Sequence, residues 1–185
     1  MSLFKNLFGK KKEEEPHYDV TNMKIHDLDV GFIFDYELES WVVEEIYEYD
    51  WGDNHFTREF KISNSKGVFY LEIEEDGELL ITVTEKLSLA SLGDDIFNDL
   101  MDGKQPLNKI TYEGVDYYLD EEASGYFHDI NNKPDVWDEF ISWSYEDRRE
   151  ELVLTIEQWD EKKFEVFQGK YIEEHEISNI VPAAD

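Results

Sequence analysis

Residues 68–85 read VFYLEIEEDGELLITVTE, and this stretch decides the fold. Apolar and polar residues alternate on both sides of Glu75-Asp76-Gly77. Alternation with a period of two is typical of a half-buried β-strand. The Asp-Gly pair readily adopts the positive φ values of a tight turn. The stretch therefore predicts a β-hairpin with its turn at residues 75–77.

The same alternation extends from this hairpin toward both ends of the chain. Further strands are predicted at residues 32–38, 41–47, 56–62, 110–112, 115–119, 136–145, 152–156 and 164–167. The middle of the chain differs, because Asp94 is a candidate N-cap and Gly103 a candidate stop signal for one short helix near residues 94–102. The predicted fold class is mainly β with this one helix.

The order of the predicted strands repeats along the chain. Four strands and their connections follow one another in each half, which we interpret as a weak internal duplication with halves at about residues 23–88 and 107–181. Two successive antiparallel meanders are expected to pack as a sandwich or as a barrel-like domain. The predicted organisation is a tail and linker at residues 1–22 and a single β-rich domain at residues 23–181.

The composition excludes several classes of protein. The formal charge is 17 − 46 = −29, which excludes plain electrostatic binding to nucleic acid. A hydrophobic share of 41% and an aromatic share of 15% argue against general disorder. The lack of cysteine excludes disulfides and thiolate zinc sites. No apolar run approaches a membrane span and no signal peptide is recognisable, so we expect a cytoplasmic location.

The tail has a composition of its own. Four apolar side chains recur at helical spacing and a lysine cluster follows them: Leu3, Phe4, Leu7 and Phe8, then Lys10, Lys11 and Lys12. With Lys5, residues 1–12 hold four of the 17 basic residues and no acidic residue, so the rest of the chain carries 13 − 46 = −33. The tail is interpreted either as a solvated terminus or as a docking segment for an anionic membrane surface or a partner. In the second case the protein is peripheral at the inner face of the membrane.

Several segments together carry a family resemblance. They are Val30-Gly31, Trp41-Val42-Val43-Glu44, Arg58-Glu59-Phe60, residues 68–72, residues 110–119, Glu122-Ala123, residues 136–145, residues 152–157, Trp159 and residues 165–169. In this order they resemble the bacterial domain of unknown function 4178 family over about residues 25–180. The chain departs from the family pattern at Gln158 and in an acidic insert at residues 91–102. The resemblance implies no activity and no catalytic residues, and it implies a link to envelope stress and to polyamine-related genes.

Few residues stand out as candidates for chemistry. Glu59 and Glu157 are one candidate acid/base pair, although carboxylates that alternate with apolar residues on strands usually form a solvated face. His55 and His128 lie in similar loops, but no metal-binding motif is present. Catalytic and nucleotide-binding motifs are also missing from the sequence. We therefore expect no catalysis, no cofactor and no dedicated metal site.

The tryptophans offer a second kind of site. Tryptophans on β-meanders are mostly core residues, but those flanked by acids also make good binding anchors. The predicted partner surface consists of Trp51, Glu59, Trp143, Glu157 and Trp159.

These observations lead to one main hypothesis and three alternatives. The main hypothesis is a non-catalytic interaction domain whose acidic surface receives a basic protein. The first alternative is a cation-binding protein, with a polyamine or a divalent cation as ligand, because a strongly negative field concentrates cations. The second is a nucleic-acid mimic that occupies a DNA-binding protein, and the last is an enzyme.

Overall fold

The chain folds into a β-barrel with additional strands at its sides. The computed structural model describes residues 22–75 and 77–183. Within these residues the strands are β1 (Ile33–Tyr36), β2 (Glu39–Gly52), β3 (His55–Asn64), β4 (Gly67–Glu75), β5 (Leu79–Leu87), β6 (Lys109–Tyr112), β7 (Val115–Asp129), β8 (Trp137–Asp147), β9 (Leu152–Asp160), β10 (Lys163–Tyr171) and β11 (Ser178–Val181). A helix, α1 (Asp94–Met101), and short 3₁₀ turns at Ile25–Asp27, Leu89–Leu92 and Glu174–Glu176 complete the fold.

The barrel wall consists of two four-stranded meanders. The strands follow the order β2-β3-β4-β5-β10-β9-β8-β7, and a further pairing of β2 with β7 closes the ring. This closing seam joins Tyr47 to Asp129 and Asp50 to Tyr126, in antiparallel register. The second seam joins β5 to β10, also antiparallel. The predictions of a mainly β fold, of two meander halves and of barrel-like packing are therefore confirmed.

Three strands extend the sheet beyond the barrel. β1 pairs with β2 and with β11, so Ile33 lies beside Val42 on one side and beside Val181 on the other. β6 pairs with the beginning of β7. The last strand of the chain therefore completes the outer edge of the first half.

The stretch that predicted the fold forms the hairpin of β4 and β5. Tyr70 pairs with Thr84, and Leu71 pairs with Val83. Gly77 in the turn has a φ of 79°, which is accessible to glycine at no steric cost. The predicted helix is confirmed as α1, but its N-cap is Gly93, and Asp94 is the first helical residue and does not cap the helix.

Several strands are longer than predicted, β2, β9 and β10 among them, whereas β1 is shorter. β1 ends at Tyr36 because Glu37 and Leu38 turn the chain with φ values of 51° and 63°. β7 continues to Asp129, beyond the predicted end at residue 119, after a register shift between Leu119 and Glu121. This continuation is the part of β7 that pairs with β2 and closes the barrel.

The two apolar cores lie on the outer faces of the wall strands. The first contains Phe60, Ile62 and Leu71 from β3 and β4 and is covered by the 3₁₀ turn at Ile25–Asp27, by β1 and by the segment that leads to β11. The second contains Trp143, Leu154 and Ile156 from β8 and β9 and is covered by α1 and β6. The alternate side chains of the same strands point the other way, into the barrel.

The predicted docking tail, with Leu3, Phe4, Leu7, Phe8, Lys10, Lys11 and Lys12, lies outside the described residues. Within residues 22–75 and 77–183, no helix is long and apolar enough to cross a membrane.

Candidate functional site: the barrel interior

The interior of the barrel is a polar cavity of about 410 Å³. All eight wall strands contribute to its lining, as expected of a space that they enclose together. The volume lies in the range of small-molecule sites, and eight-stranded barrels are just wide enough to hold one small ligand.

The lining of the cavity is strongly acidic. Seven carboxylate side chains line it: Glu59, Glu72, Glu74, Asp120, Glu121, Glu146 and Glu157. No lysine or arginine of the described residues is part of the lining, and His55 is its one basic side chain. Five hydroxyl side chains, which make no hydrogen bond to another described residue, add further polar groups: Thr82, Thr84, Ser142, Ser144 and Thr155. The cavity therefore offers mostly hydrogen-bond acceptors and hydroxyl groups.

Glu59 on β3 is one of the most deeply buried acids of the structure. Its residue is 8% exposed, and Tyr49 Oη donates a hydrogen bond to Glu59 Oε1 over 3.2 Å. Burial raises the pKa of Glu59 well above its ordinary value, and the charges of Glu72 and Glu157 raise it further. The tyrosine hydrogen bond opposes this shift without reversing it. The protonated form of Glu59 is therefore favoured when no cation lies beside it.

Glu72 on β4 pairs in register with Glu59 and belongs to a short hydrogen-bonded chain. Trp51 Nε1 donates to Thr57 Oγ1 over 3.1 Å, and Thr57 Oγ1 donates to Glu72 Oε1 over 2.7 Å. Burial raises the pKa of Glu72, and the hydrogen bond from Thr57 partly offsets this rise. These two hydrogen bonds hold Oε1 of Glu72 in place.

Glu157 on β9 is 7% exposed and lies in register with Ser142 and Glu165. Its Oε2 is buried and accepts no hydrogen bond from the residues that the structure describes. Burial raises the pKa of Glu157 to about 8, with further contributions from the charges of Glu165 and Glu72, while Lys86 and the nearby indole N–H of Trp159 act in the opposite direction. Lys86 Nζ is itself paired with Glu165 Oε2 at 2.8 Å. Glu157 is therefore a buried acid whose Oε2 atom has no hydrogen-bond donor among the described residues.

The acids are distributed over opposite walls. In the ring of eight strands, β3 and β9 are four places apart, so Glu59 and Glu157 come from diametrically opposite strands. Glu72, on the strand next to β3, shares the wall of Glu59. A ligand in the cavity therefore lies between carboxyl groups on two sides.

One end of the barrel is filled with aromatic rings. Tyr49 stacks on Trp51 with ring centroids 5.8 Å apart, and Phe140 stacks on Trp159 at 4.9 Å. Phe140 lies near the start of β8 and Trp159 near the end of β9, whereas the cavity-lining Glu146 and Val153 flank the turn between these strands. The cavity thus extends toward the β8–β9 turn, and the aromatic rings lie toward the opposite ends of these strands.

The residues of the predicted partner surface lie in three different parts of the structure. Trp51, Glu59 and Glu157 line the cavity. Trp159 belongs to the aromatic cluster. Trp143 is 2% exposed in the second outer core. The expectation of an exposed surface is therefore wrong for Glu59, Trp143 and Glu157, because the barrel and its outer cover bury them. The expectation of a solvated face for the two glutamates fails for the same reason.

The histidines that sequence equivalence placed in similar loops are not brought together. His55 Nε2 lies 3.1 Å from Glu74 Oε1, whereas the His128 ring stacks on Trp137 with centroids 4.6 Å apart. Among residues 22–75 and 77–183, no group of three or more histidine, aspartate or glutamate side chains could hold a metal ion.

Sequence reasoning missed Tyr49, Thr57 and Glu72. Tyr49 lies two residues before Trp51, and Thr57 lies two residues before Glu59. Glu72 is the cross-strand partner of Glu59. The period-two pattern therefore placed Tyr49 and Thr57 on the same strand face as the recognised candidates. It did not show that the barrel encloses this face.

Comparisons with known proteins give a family without an assigned activity. An uncharacterized protein of Aquifex aeolicus (strain VF5) is 25% identical over 179 residues, which cover 96% of each chain. No solved structure matches. Residues 29–174 match the family described as domain of unknown function (DUF4178). This match covers most of the barrel and its outer strands, and the chain therefore belongs to the DUF4178 family.

Proposed function

We propose that this protein is a non-catalytic binding protein that holds a small organic cation of the polyamine class inside its barrel. The observation that supports the proposal best is the cavity of about 410 Å³, lined by seven carboxylates and by no described lysine or arginine. The buried part of this lining is costly without a counter-charge, because the ionised carboxylates of Glu59 and Glu157 lose their hydration. A bound ammonium group offsets this cost.

The type of cation follows from the lining. The described residues offer no cluster for a metal ion, so a divalent cation is the less suitable ligand. Ammonium groups donate hydrogen bonds in several directions, and carboxylates and hydroxyl groups accept them. Tyr49 and Trp51, which also line the cavity, offer rings for cation–π contacts.

The arrangement of the acids favours a ligand with more than one ammonium group. Glu59 and Glu72 belong to one wall, and Glu157 belongs to the opposite wall. A linear diamine or polyamine places a positive charge near each wall, whereas a monoamine neutralises one of them. We therefore expect affinity to increase from butylamine to 1,4-diaminobutane to spermidine.

Calorimetric titration of the full chain with these three amines, at about 0.15 M salt, tests the proposal. At this ionic strength the attraction between distant surface charges is largely screened, so a persistent one-to-one binding event reports on the enclosed site. Glu59→Gln and Glu157→Gln should each weaken spermidine binding by at least tenfold.

Glu161→Gln is the matched control, since Glu161 is an exposed residue in the turn between β9 and β10 and its loss changes the net charge equally. Its affinity should equal that of the unchanged protein. Equal weakening in all three variants would mean that only the overall charge attracts amines, and heat that disappears at 0.15 M salt would have the same meaning.

A second candidate function is docking to a basic protein partner. It is supported by aromatic side chains exposed on the outer face where β2 meets β7: Phe56 next to the seam, Tyr126 within it and Trp137 on β8. Exposed aromatic residues beside acids such as Glu139 suit a basic partner. In this proposal the chain is cytoplasmic, and residues 1–16 attach it to the membrane or to the partner.

Flotation with anionic liposomes tests the membrane part of this second proposal. The full chain should float and the chain without residues 1–16 should not, with less flotation at high salt. Equal behaviour of the two chains would contradict a role of these residues in membrane binding.

A further inference from the structure

The enclosed acids suggest how the barrel would load and release its ligand. Glu157 combines three properties: it is buried, it lines the cavity, and its Oε2 has no hydrogen-bond partner among the described residues. An ionised carboxylate in such a place lacks the interactions that replace water. Without a cation in the cavity, the neutral form is the more stable one.

The groups that surround Glu157 come from several strands. Glu59 on β3, Glu72 on β4 and Glu165 on β10 are acidic, and each disfavours a second negative charge. Lys86 on β5 is a nearby cation, and its Nζ is already paired with Glu165 Oε2. Tyr49 Oη on β2 donates a hydrogen bond to Glu59 Oε1. On β8, the register partner Ser142 is uncharged. On β7, Glu121 adds another carboxylate to the lining.

We propose that binding in the barrel is an exchange of an ammonium group for a proton, with Glu157 as the main group that releases the proton. The inference rests on the proposed function, because it concerns the same cavity. The exchange balances the charge at Glu157: one ammonium group comes to lie beside it, and the O–H bond of its carboxylic acid breaks to release one proton to solvent. The carboxylate that remains accepts hydrogen bonds from the ammonium group.

The exchange makes binding dependent on pH in a defined direction. Amines of this kind remain protonated below about pH 9, as lysine does, so a proton released near neutral pH comes from the protein. If one proton is released per ligand, the affinity rises about tenfold per pH unit between pH 6 and pH 7.5. The barrel would then take up its ligand at neutral pH and release it in an acidified environment.

Calorimetric titration with spermidine in phosphate and in Tris measures the exchange directly. These buffers differ in their heat of protonation, so the difference between the two observed heats gives the number of protons released. We expect at least one proton per spermidine at pH 7, and about one proton fewer for Glu157→Gln, with binding still measurable at high ligand concentration. The control Glu161→Gln should release as many protons as the unchanged protein.

The outcomes separate the two proposals. Spermidine binding with equal heats in both buffers, or with an affinity that is independent of pH, would overturn the exchange and leave the binding function intact. Unchanged proton release in Glu157→Gln would show that another group supplies the proton and would overturn its assignment. Absence of binding at every pH would overturn the binding function itself. A carbon-13 titration of the glutamate side chains in the free protein gives a second readout, in which Glu157 should titrate near pH 8.

Discussion

Gly169 on β10 lies against the backbone of Val83 on β5 so closely that a Cβ atom at position 169 would be 2.0 Å from the Val83 carbonyl oxygen. The same Cβ would lie 2.6 Å from Thr84 Cα. Both neighbours are backbone atoms of the strand that pairs with β10 at the second seam of the barrel. A side chain at residue 169 therefore requires the two halves of the barrel to move apart.

Gly169→Ala should destabilise the fold by roughly 3 kcal/mol or more, since overpacking that shifts the backbone lies at the upper end of such effects. The comparison is Gly125→Ala, whose new Cβ would lie 3.0 Å from Trp51 Cε3 and 3.1 Å from Phe140 Cε1. Aromatic rings can shift by a few tenths of an ångström, so this variant should lose less stability. Urea unfolding of both variants gives the two free energies. Equal losses would mean that the β5–β10 seam is no more rigid than the aromatic cluster.

Stability should fall as the pH rises from about 5 to about 8. The unfolded chain has glutamates with an ordinary pKa of 4.5, whereas Glu157 in the folded chain has a pKa of about 8. Between these values the folded state binds more protons than the unfolded state, so raising the pH favours unfolding. Each unit of difference between the folded and the unfolded pKa corresponds to about 1.4 kcal/mol in the free energy of unfolding. Thermal unfolding across this pH range should show a midpoint that decreases with pH.

Glu157→Gln should make this dependence weaker, because glutamine keeps the shape of the neutral acid and does not titrate, while Glu59 and Glu72, whose pKa values burial also raises, keep the remainder. A variant as pH-sensitive as the unchanged protein would contradict the assignment of the pH dependence to Glu157. The control Glu161→Gln should follow the unchanged protein throughout.

Thr57→Val should cost about 2 kcal/mol of stability. Thr57 is buried, accepts a hydrogen bond from Trp51 Nε1 and donates one to Glu72 Oε1. Valine has the same shape but leaves both partners unsatisfied. The matched control is Thr155→Val, since Thr155 lines the same cavity without a hydrogen bond to another described residue. Denaturant unfolding gives the free energy of unfolding of both variants. Equal losses would show that the hydrogen bonds that link Trp51, Thr57 and Glu72 do not stabilise the fold.

The two tryptophans of β8 should respond differently to removal. Trp143 is 2% exposed in the second outer core, whereas Trp137 is 42% exposed. Trp143→Ala should cost roughly 3–5 kcal/mol, the usual range for a large side chain deleted from a core. Trp137→Ala should change stability by less than about 1 kcal/mol. Calorimetric unfolding checks both values, and a comparable loss in both would contradict the packing described for β8.

The sequence contained most of the local structure. Alternation around Asp76-Gly77 predicted the β4–β5 hairpin, and Asp94 with Gly103 predicted α1. These features depend on neighbouring residues only, so a single sequence can carry them. The correspondence of the two halves was likewise visible in the order of strands.

The closure of the barrel and the content of its interior were not predictable in the same way. The pairing of Tyr49 with Phe127 joins residues far apart in the chain, and no local pattern encodes it. Alternation places Glu59 and Thr57 on one face of β3, but it does not say whether that face meets solvent, another sheet or an enclosed space. The usual assignment of the acidic face to solvent is reversed here, since the apolar faces point outward beneath the covering segments.

The pairing of the first strand with the last has a consequence for the order of assembly. Ile33 on β1 pairs with Val181 on β11, and the β2–β7 seam joins residues 47–50 to residues 126–129. Contacts between such distant parts of a chain form slowly, because the entropy lost in closing long loops precedes the gain. During synthesis the first meander emerges with the β5 edge and residues 47–50 of β2 unpaired, and its glutamates stay in water until the second meander arrives. Barrel closure is therefore a late folding event, and the acids become enclosed only after β10 has been synthesised.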